Sequence, residues 1–444
     1  MANKLGPGSA IQKKKGCKVI VFMCSILSIV ALWGQESQAV PAFARKYHTA
    51  CSTCHLAFPV RNGFGEAFRN NGYRFPGNTD DEMVKEEPIA LGQESYKKIF
   101  PDAIWPSDIP NMPSLGFLAS STITVPKDKV AGKYKDVNFS EELGVFFAGT
   151  VTHHISYFGD FALNDESATL GRLVMLWAFK PGVNLALGDV GFPELFTLIS
   201  ARPNGDKDSY STSLPNPSRG VELRIAGDTG ESGGYSLIAG VGRNSTLTDH
   251  VTAEYRGGNF TDTKYARGTL KVGGNGLLSG VGGTLGQNAI GQDNSVTFGV
   301  NYFNSSKGGE TPPTDIDEGV TSIGRSKTAY AADIVANYGK FRTVAQYARF
   351  NEVIDTAGKD WGKRTAFGVE GDYWIYPWLF GVVRYEHVKD NLNGKINKFI
   401  PGVAALLRAN AKIGLEYVAV TKDAVAEANS VAGNSFTFYA QLGF

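Results

Sequence analysis

Apolar and polar residues alternate along most of the chain from about residue 115 to its end. The alternation is clearest in the stretches 221–225, 297–302, 412–417 and 435–444, where apolar residues occupy every second position. Because neighbouring side chains of a β-strand point to opposite faces, this period of two predicts strands with one apolar and one polar face. Residues 115–444 are therefore predicted to be mostly β.

Turns rich in Gly, Asn and Asp divide this region into seventeen predicted strands. They lie near 115–125, 141–150, 155–163, 170–179, 183–190, 218–227, 233–242, 264–272, 277–286, 294–304, 326–338, 341–351, 364–374, 378–389, 396–406, 411–420 and 434–444. An up-and-down bacterial barrel has an even number of strands and short periplasmic turns, for which 338–340 and 376–378 are candidates. Counting back from the C-terminus places the discrepancy between about 243 and 304. Either 249–258 is a further strand, giving eighteen, or one strand there is wrong, giving sixteen.

Strands of about ten residues and a last strand that ends on Phe444 are typical of outer-membrane barrels. After the N-terminus no apolar stretch reaches the roughly 18 residues of a spanning helix. Only helices and closed barrels satisfy their backbone in lipid, so the pattern favours a barrel. A soluble sandwich or propeller is the alternative, but no repeat period supports a propeller. We predict a transmembrane antiparallel β-barrel of about sixteen strands at 115–444, in the outer membrane of a Gram-negative bacterium.

The first 39 residues predict an export signal. Lys13, Lys14, Lys15 and Lys18 precede a mostly apolar run from Val19 to Trp33, and Ser37-Gln38-Ala39 offers a small-x-small cleavage site. The apolar run is short for a spanning helix, although an uncleaved anchor is the alternative. Cleavage would remove Cys17 and Cys24 and leave Cys51 and Cys54 as the cysteines of the mature chain.

Those two cysteines belong to Cys51-Ser52-Thr53-Cys54-His55, a C-x-x-C-H pattern. The pattern predicts covalent attachment of one heme c, with two thioether bonds from the cysteines and an axial nitrogen from His55. Half of a zinc site is the alternative, but zinc needs two further Cys or His ligands and only His48 is near. Attachment of c-type heme follows export, so the motif agrees with the signal.

Residues 40–114 are predicted to form a small helical heme segment and a Pro-rich connector. A short helix is expected at 63–72, with Gly72 as its left-handed cap. Six aromatic residues could either line the porphyrin or pack a small core: Phe43, Phe58, Phe64, Phe68, Tyr73 and Phe75. About 75 residues precede the first strand, so much of the Pro-rich stretch 76–114 is expected to pack on the heme or on the barrel.

Several residues around the motif carry a family resemblance. They are Pro41-Ala42-Phe43-Ala44-Arg45, Cys51, Cys54, His55, Phe58-Pro59, Phe64-Gly65, Phe68 and Gly72-Tyr73. With a barrel to follow, the chain resembles the fused monoheme cytochrome c–porins, outer-membrane electron-transfer proteins implicated in ferrous iron oxidation. The resemblance implies sixteen strands and a heme segment that plugs the lumen or sits in it. Iron-oxidising members typically have Gln after Phe-Ala-Arg, whereas Lys46 follows here, so the resemblance bears on the fold more than on the substrate.

A sixth ligand to the heme iron would suit pure electron transfer, because an open site invites small molecules. Met112 is the first candidate, and Met83, His48, another residue or water are the alternatives. His153 and His154 attract attention as metal ligands, but adjacent strand residues face opposite sides, so an exposed turn is favoured. Asp315, Asp317 and Glu318 could attract cations, although solvated loop charge is favoured.

Composition narrows the partners. A formal net charge of +1 and the lack of a long basic stripe argue against nucleic acid. No hydrolase triad, phosphate loop or zinc cluster is present in the sequence. We expect an electron conduit in outer-membrane lipid that oxidises extracellular Fe(II), or another redox partner, and passes electrons to a periplasmic cytochrome, which would make it a ferrous iron oxidoreductase. Outward electron transfer, or a porin with a heme gate or sensor, are the alternatives.

Overall fold

The computed structural model describes residues 42–76, 89–90, 98–99, 108–109, 114–127, 137–151, 154–164, 167–193, 195–199, 219–242, 261–280, 291, 293–305, 325–354, 363–390, 394–423 and 433–443. The predicted signal peptide and most of the Pro-rich connector lie outside these residues.

The chain begins with a small helical segment, here called the lumenal segment (residues 42–76). It contains α1 (Ala42–Lys46), a 3-10 turn (Cys51–Thr53), β1 (His55–Ala57), β2 (Val60–Arg61) and α2 (Gly63–Asn70). The two-residue strands β3 (Ile89–Ala90) and β4 (Asp108–Ile109) then pair with each other. The predicted helix at 63–72 is confirmed, and Gly72 adopts the expected left-handed conformation with φ of 71°.

Sixteen strands of the described chain close into one antiparallel barrel. They are β5 (Ser114–Pro126), β6 (Asn138–Thr150), β7 (Ile155–Asn164), β8 (Ser167–Lys180), β9 (Val183–Gly188), β10 (Gly220–Asp228), β11 (Gly234–Gly242), β12 (Thr263–Gly273), β13 (Ser295–Ser305), β14 (Arg325–Tyr338), β15 (Phe341–Ile354), β16 (Lys363–Tyr376), β17 (Leu379–Asp390), β18 (Gly394–Arg408), β19 (Ala411–Lys422) and β20 (Ser435–Gly443). Each strand pairs with the next, and β20 pairs back with β5, with Ser435 opposite Pro126 and Gly443 opposite Leu118. The predicted fold class and the lower strand count are confirmed.

The predicted strand at 277–286 is wrong. Residues 277–279 form bends between β12 and β13 and residue 280 is not in a strand, while 281–286 lie outside the described residues, as does 249–258. The Leu278 amide donates to Asp228 Oδ1 at 2.8 Å, and the Leu277 carbonyl accepts from Asn70 Nδ2 at 3.0 Å. Side chains therefore satisfy this backbone, where a strand would need a neighbouring ladder.

The outer surface of the barrel is apolar and its lumen is polar. On β13 the side chains of Phe298, Val300 and Tyr302 are exposed, Val300 to 64 %, while Asn301 on the same strand is buried. Burial of polar residues with exposure of large apolar ones is the reverse of a soluble protein, and it suits a wall surrounded by lipid. The chain is an outer-membrane barrel of the Gram-negative type, with the strand number of a porin. Among the described residues, no helix is long and apolar enough to cross a membrane.

The two rims of the barrel differ in the length of their connections. One rim carries tight turns, such as 339–340 and 377–378, together with the end of β20 and the start of β5. The other rim carries long connections, such as 306–324. Bacterial barrels keep short turns in the periplasm and longer loops outside, so the first rim is the periplasmic one.

The connection after β9 folds into the lumen. Phe192 packs against Tyr265 of β12 with ring centroids 5.0 Å apart, and Leu198 and Ile199 are fully buried. The Leu198 amide donates to Glu370 Oε1 at 3.1 Å, and Arg384 Nη1 donates to Thr197 Oγ1 at 3.0 Å. Long connections were predicted to be extracellular loops, so this inward course was not foreseen.

Candidate functional site

The two cysteines of the C-x-x-C-H pattern lie on one tight turn. Cys51 begins the 3-10 turn, and the Cys54 amide donates to the Cys51 carbonyl at 3.2 Å. Both thiols are free of disulfides, Cys51 being buried and Cys54 half-buried. Burial raises the pKa of Cys51 to about 11 and that of Cys54 to about 12, so both are thiols at neutral pH.

His55 follows directly and is oriented by the chain beyond it. Strands β1 and β2 form a small hairpin, which brings the Pro59 carbonyl to 3.3 Å from His55 Nδ1. A carbonyl only accepts, so Nδ1 carries the proton and donates, and the lone pair of the neutral ring lies on Nε2. Burial and the nearby Arg61 charge lower the pKa of His55 to about 4, which keeps the ring neutral.

Asn62 ties this turn to the helix that follows. Its side-chain Oδ1 accepts from the Gly65 amide at 2.9 Å, which caps the N-terminus of α2. Its Nδ2 donates to the carbonyls of Ser52 at 3.2 Å and Thr53 at 3.0 Å, and its amide donates to the Cys54 carbonyl at 2.9 Å. The sequence interpretation missed Asn62, although an Asn just before a helix is the ordinary signal of a cap.

Gly65 allows α2 to pack directly on the cysteine turn. A Cβ at Gly65 would lie 2.1 Å from the Cys54 carbonyl oxygen. Only a residue without a side chain permits this approach, so the contact depends on glycine.

The predicted aromatic residues gather beside Cys54, with one exception. Phe64 and Phe68 are buried together with Tyr47, and Phe43, Cys54, Tyr73 and Phe75 pack against them. Phe58 lies apart, with its ring centroid 5.1 Å from that of His55 and 6.4 Å from that of Phe146 on β6. The five clustered residues contact one another, as in a small core.

Polar contacts join the lumenal segment to the barrel wall near the periplasmic rim. Lys46 Nζ donates to Thr150 Oγ1 at 3.2 Å, Ser156 Oγ to the Gly72 carbonyl at 2.7 Å, and Asn184 Nδ2 to the Asn70 carbonyl at 2.7 Å. Thr150, Ser156 and Asn184 each lie at or next to a strand end on that rim. Residues 42–76 therefore pack on the barrel, whereas most of the Pro-rich stretch 76–114, for which packing was predicted, lies outside the described residues.

Lys412 of β19 is the central contact of this junction. Its buried Nζ donates to the Phe58 carbonyl at 2.7 Å and to the Leu198 carbonyl at 3.2 Å. One wall residue therefore holds both the lumenal segment, next to the Pro59 that orients His55, and the inward connection after β9. Nothing in the sequence pattern singled out this lysine.

The lumenal segment also carries a charged group. Arg61 Nε donates to Glu66 Oε1 at 2.7 Å, and Arg69 Nη1 lies 3.8 Å from Glu66 Oε2. Burial alone would raise the pKa of Glu66, but the two arginines lower it below its usual range. A cavity of about 210 Å³ separates this group from β10 and β12.

Of the residues named as candidate sixth ligands, only His48 lies within the described residues. Met112 and Met83 lie outside the described residues. His48 is exposed and has φ of 49°. Asp315, Asp317, Glu318 and His153 also lie outside the described residues, while His154 is exposed in the predicted turn after β6 with Nδ1 3.1 Å from the Ala178 carbonyl oxygen. No group of three or more metal-ligating side chains occurs in the described part of the chain.

Three solved structures with similar barrels are distant in sequence. Salmonella typhi OmpF, in a complex with daunomycin, is 11 % identical with a TM-score of 0.49, and the match covers 74 % of this chain and 97 % of OmpF. An anion-selective porin from Comamonas acidovorans is 11 % identical with a TM-score of 0.49, and the match covers 75 % of this chain and 99 % of that one. Vibrio cholerae OmpT is 14 % identical with a TM-score of 0.44 over 76 % of this chain and all of OmpT. No protein-family model and no curated protein matches the sequence.

Proposed function

We propose that this barrel carries one covalent heme c on Cys51, Cys54 and His55 and moves electrons between the cell surface and the periplasm. The proposal rests on the arrangement and protonation of these three residues. Two unbridged thiols share one turn, and the next residue is a neutral imidazole whose Nδ1 donates to Pro59, leaving Nε2 to bind iron. Such a second hydrogen bond is the usual means by which proteins orient a metal-binding histidine.

The residues present therefore fit a c-type heme. When bound, the heme supplies reversible one-electron exchange at its iron. The chain contributes the orientation of His55 through the hairpin, and it holds the segment in place through Asn62 and Lys412. Met112 remains the first candidate for a sixth ligand, ahead of Met83 and His48.

The place of the segment supports exchange with a periplasmic partner. Its wall contacts lie near the periplasmic rim, where a soluble electron-carrier cytochrome could approach. An extracellular donor must then act through the lumen. Fe(II) suits this role because it is small, and inward oxidation of Fe(II) is the function we favour.

The test is a redox titration of the heme in the purified holoprotein, with and without Fe(II). We expect Fe(II) to reduce the heme, at a potential suited to accepting electrons from a mild donor. A heme that stays oxidised in excess Fe(II), at the pH where the organism lives, contradicts the iron function. A strongly negative potential instead favours outward electron transfer.

A second candidate is a porin whose segment acts as a gate or sensor. The cavity between the segment and the wall, lined by charged side chains, favours it. Conductance across a planar bilayer, together with electron transfer by the His55→Ala variant, distinguishes the two functions. The porin is supported if the protein forms an open pore and His55→Ala leaves electron transfer intact.

A further inference from the structure

The cavity between the lumenal segment and the wall is rich in cations. The segment contributes Arg61 and Arg69 with Glu66. The wall and its connections contribute four further cations and two carboxylates: Arg224 of β10, Arg267 and Lys271 of β12, Arg342 of β15, Asp293 just before β13 and Asp333 of β14. A cavity of about 210 Å³ is ample for small solutes, since about 10–15 Å³ of such space holds one water.

Five of the six cations have a carboxylate at short range. On the wall, Arg267 Nη2 donates to Asp333 Oδ1 at 2.9 Å and Arg342 Nη1 donates to Asp372 Oδ2 at 2.7 Å. Arg61 Nε donates to Glu66 Oε1 at 2.7 Å, Lys271 Nζ donates to Asp293 Oδ2 at 2.9 Å, and Arg224 Nε donates to Glu222 Oε1. Glu222 is itself fully buried and also accepts from Tyr265 Oη at 2.5 Å. These carboxylates are thus already engaged by their own partners.

Arg69 is the exception. Among the described residues its ion pair is with Glu66 Oε2 at 3.8 Å, beyond hydrogen-bond distance, and its guanidinium donates no hydrogen bond to them. The side chain is only 14 % exposed. Burial and the neighbouring charges of Arg61 and Arg224 lower the pKa of Arg69 to about 10, which reflects an excess of positive charge around it.

A half-buried guanidinium whose five donors have no hydrogen-bonded partner among the described residues favours a ligand that occupies those donors. Among the described residues no carboxylate is positioned to do this, because Glu66 is taken by Arg61. A planar guanidinium matches two oxygens of an oxyanion in a paired geometry, and nearby arginines add attraction.

From this arrangement we infer that the cavity binds a small oxyanion, with Arg69 as the direct ligand and with Arg61 and Arg224 as supporting charges. The anion would join the lumenal segment to β10 and balance the positive charge that the described carboxylates do not neutralise. This site uses none of the heme-binding residues, so the inference stands apart from the proposed electron transfer.

The probe is inorganic phosphate, titrated into the full-length holoprotein in detergent at low ionic strength and followed by calorimetry. We expect saturable binding of one phosphate per chain. Arg69→Gln should weaken binding at least about tenfold, because it removes a charge-assisted pair of hydrogen bonds. Arg408→Gln is the matched control, since Arg408 is exposed at the same rim and does not line the cavity, and it should leave the affinity unchanged.

Two further arms make the result decisive. Sulfate should compete with phosphate, whereas sodium chloride at matched ionic strength should compete much less; acetate tests whether a carboxylate also binds. If Arg69→Gln does not fold, Arg69→Lys provides the comparison, because it keeps the charge but loses the paired donors and should bind more weakly than the wild type. No saturable binding of phosphate or sulfate to the wild type, or equal affinity in the folded Arg69 variant, overturns the inference.

Discussion

The barrel wall and the lumenal segment are held together by different kinds of interaction. In the wall, one pairing repeats: β14 and β15, for example, face each other over fourteen residues from Arg325 to Tyr338. In the segment, single residues perform tasks that no neighbour duplicates, such as Asn62 at the cap and Gly65 against Cys54. A repeated ladder tolerates the loss of one contact, whereas a unique contact does not. The wall should therefore resist substitutions that disable the segment.

The largest difference between an effect on the lumenal segment and an effect on the barrel wall is expected for Cys54→Ala. We expect complete loss of doubly attached heme, because one of the two thioether bonds cannot form, while the barrel still folds. Pyridine hemochrome spectra and heme staining after denaturing electrophoresis measure the heme, and the heat-dependent shift of the barrel band measures the fold. Ser52→Ala, between the two cysteines, is the control and should keep both signals. A normal bis-thioether hemochrome spectrum in Cys54→Ala would show that the motif is not the attachment site.

A pair of glycine substitutions compares the two regions directly. Gly65→Ala would place a Cβ 2.1 Å from the Cys54 carbonyl oxygen, and backbone cannot give way cheaply. We expect the docked segment to lose about 3 kcal/mol, the upper end for overpacking. Gly371→Ala adds a methyl group to the wall where nothing lies within 4 Å, and we expect almost no change.

Limited proteolysis of the folded barrel measures this pair, because cleavage within residues 42–76 reports opening of the segment. A loss of about 3 kcal/mol corresponds to cleavage faster by roughly a hundredfold if opening precedes cleavage. Equal cleavage rates for Gly65→Ala and Gly371→Ala would remove the distinction between wall and segment.

The smallest effect of the three is expected at the junction. Lys412→Met keeps a long side chain but leaves the Phe58 and Leu198 carbonyls without this donor. We expect a cost of about 2 kcal/mol, typical of buried groups that lose a hydrogen bond, and hence roughly thirtyfold faster cleavage of the segment. Lys389→Met, on an exposed position of β17, is the control.

Lys412→Met should also alter the heme, because Phe58 adjoins the Pro59 that holds His55. Unchanged cleavage in Lys412→Met would mean that the other contacts with the barrel, such as those of Thr150, Ser156 and Asn184, are enough to hold the segment.

The alternation of residues was enough to predict most of the wall. Predicted and observed strands agree within a few residues, as for 341–351 against Phe341–Ile354 and 264–272 against Thr263–Gly273. The prediction failed at 277–286, where apolar Leu277 and Leu278 lie among glycines. Their backbone groups form hydrogen bonds with the side chains of Asp228 and Asn70, which are remote in sequence. The local alternation of residues cannot indicate such partners.

The residues of the candidate site likewise divide into those that the local sequence predicts and those that it does not. Cys51, Cys54 and His55 could be named from their spacing, because the chemistry of heme attachment requires neighbouring residues. Gly72 was predictable as a helix cap for the same local reason. Asn62 carried a cap signal that was overlooked. Lys412 could not have been found, since it lies more than 350 residues from Phe58 in the chain.

By itself, then, the sequence determined the features that depend on neighbouring residues: the period of the strands, the apolar exterior and the C-x-x-C-H turn. Only the tertiary structure decided that the segment lies against the wall at the periplasmic rim and that the connection after β9 turns into the lumen. It also decided that Arg69 faces a cation-rich cavity without a hydrogen-bonded carboxylate among the described residues. The physical reason is that these features arise from contacts between residues brought together by closure of the barrel, and closure is a property of all sixteen strands at once.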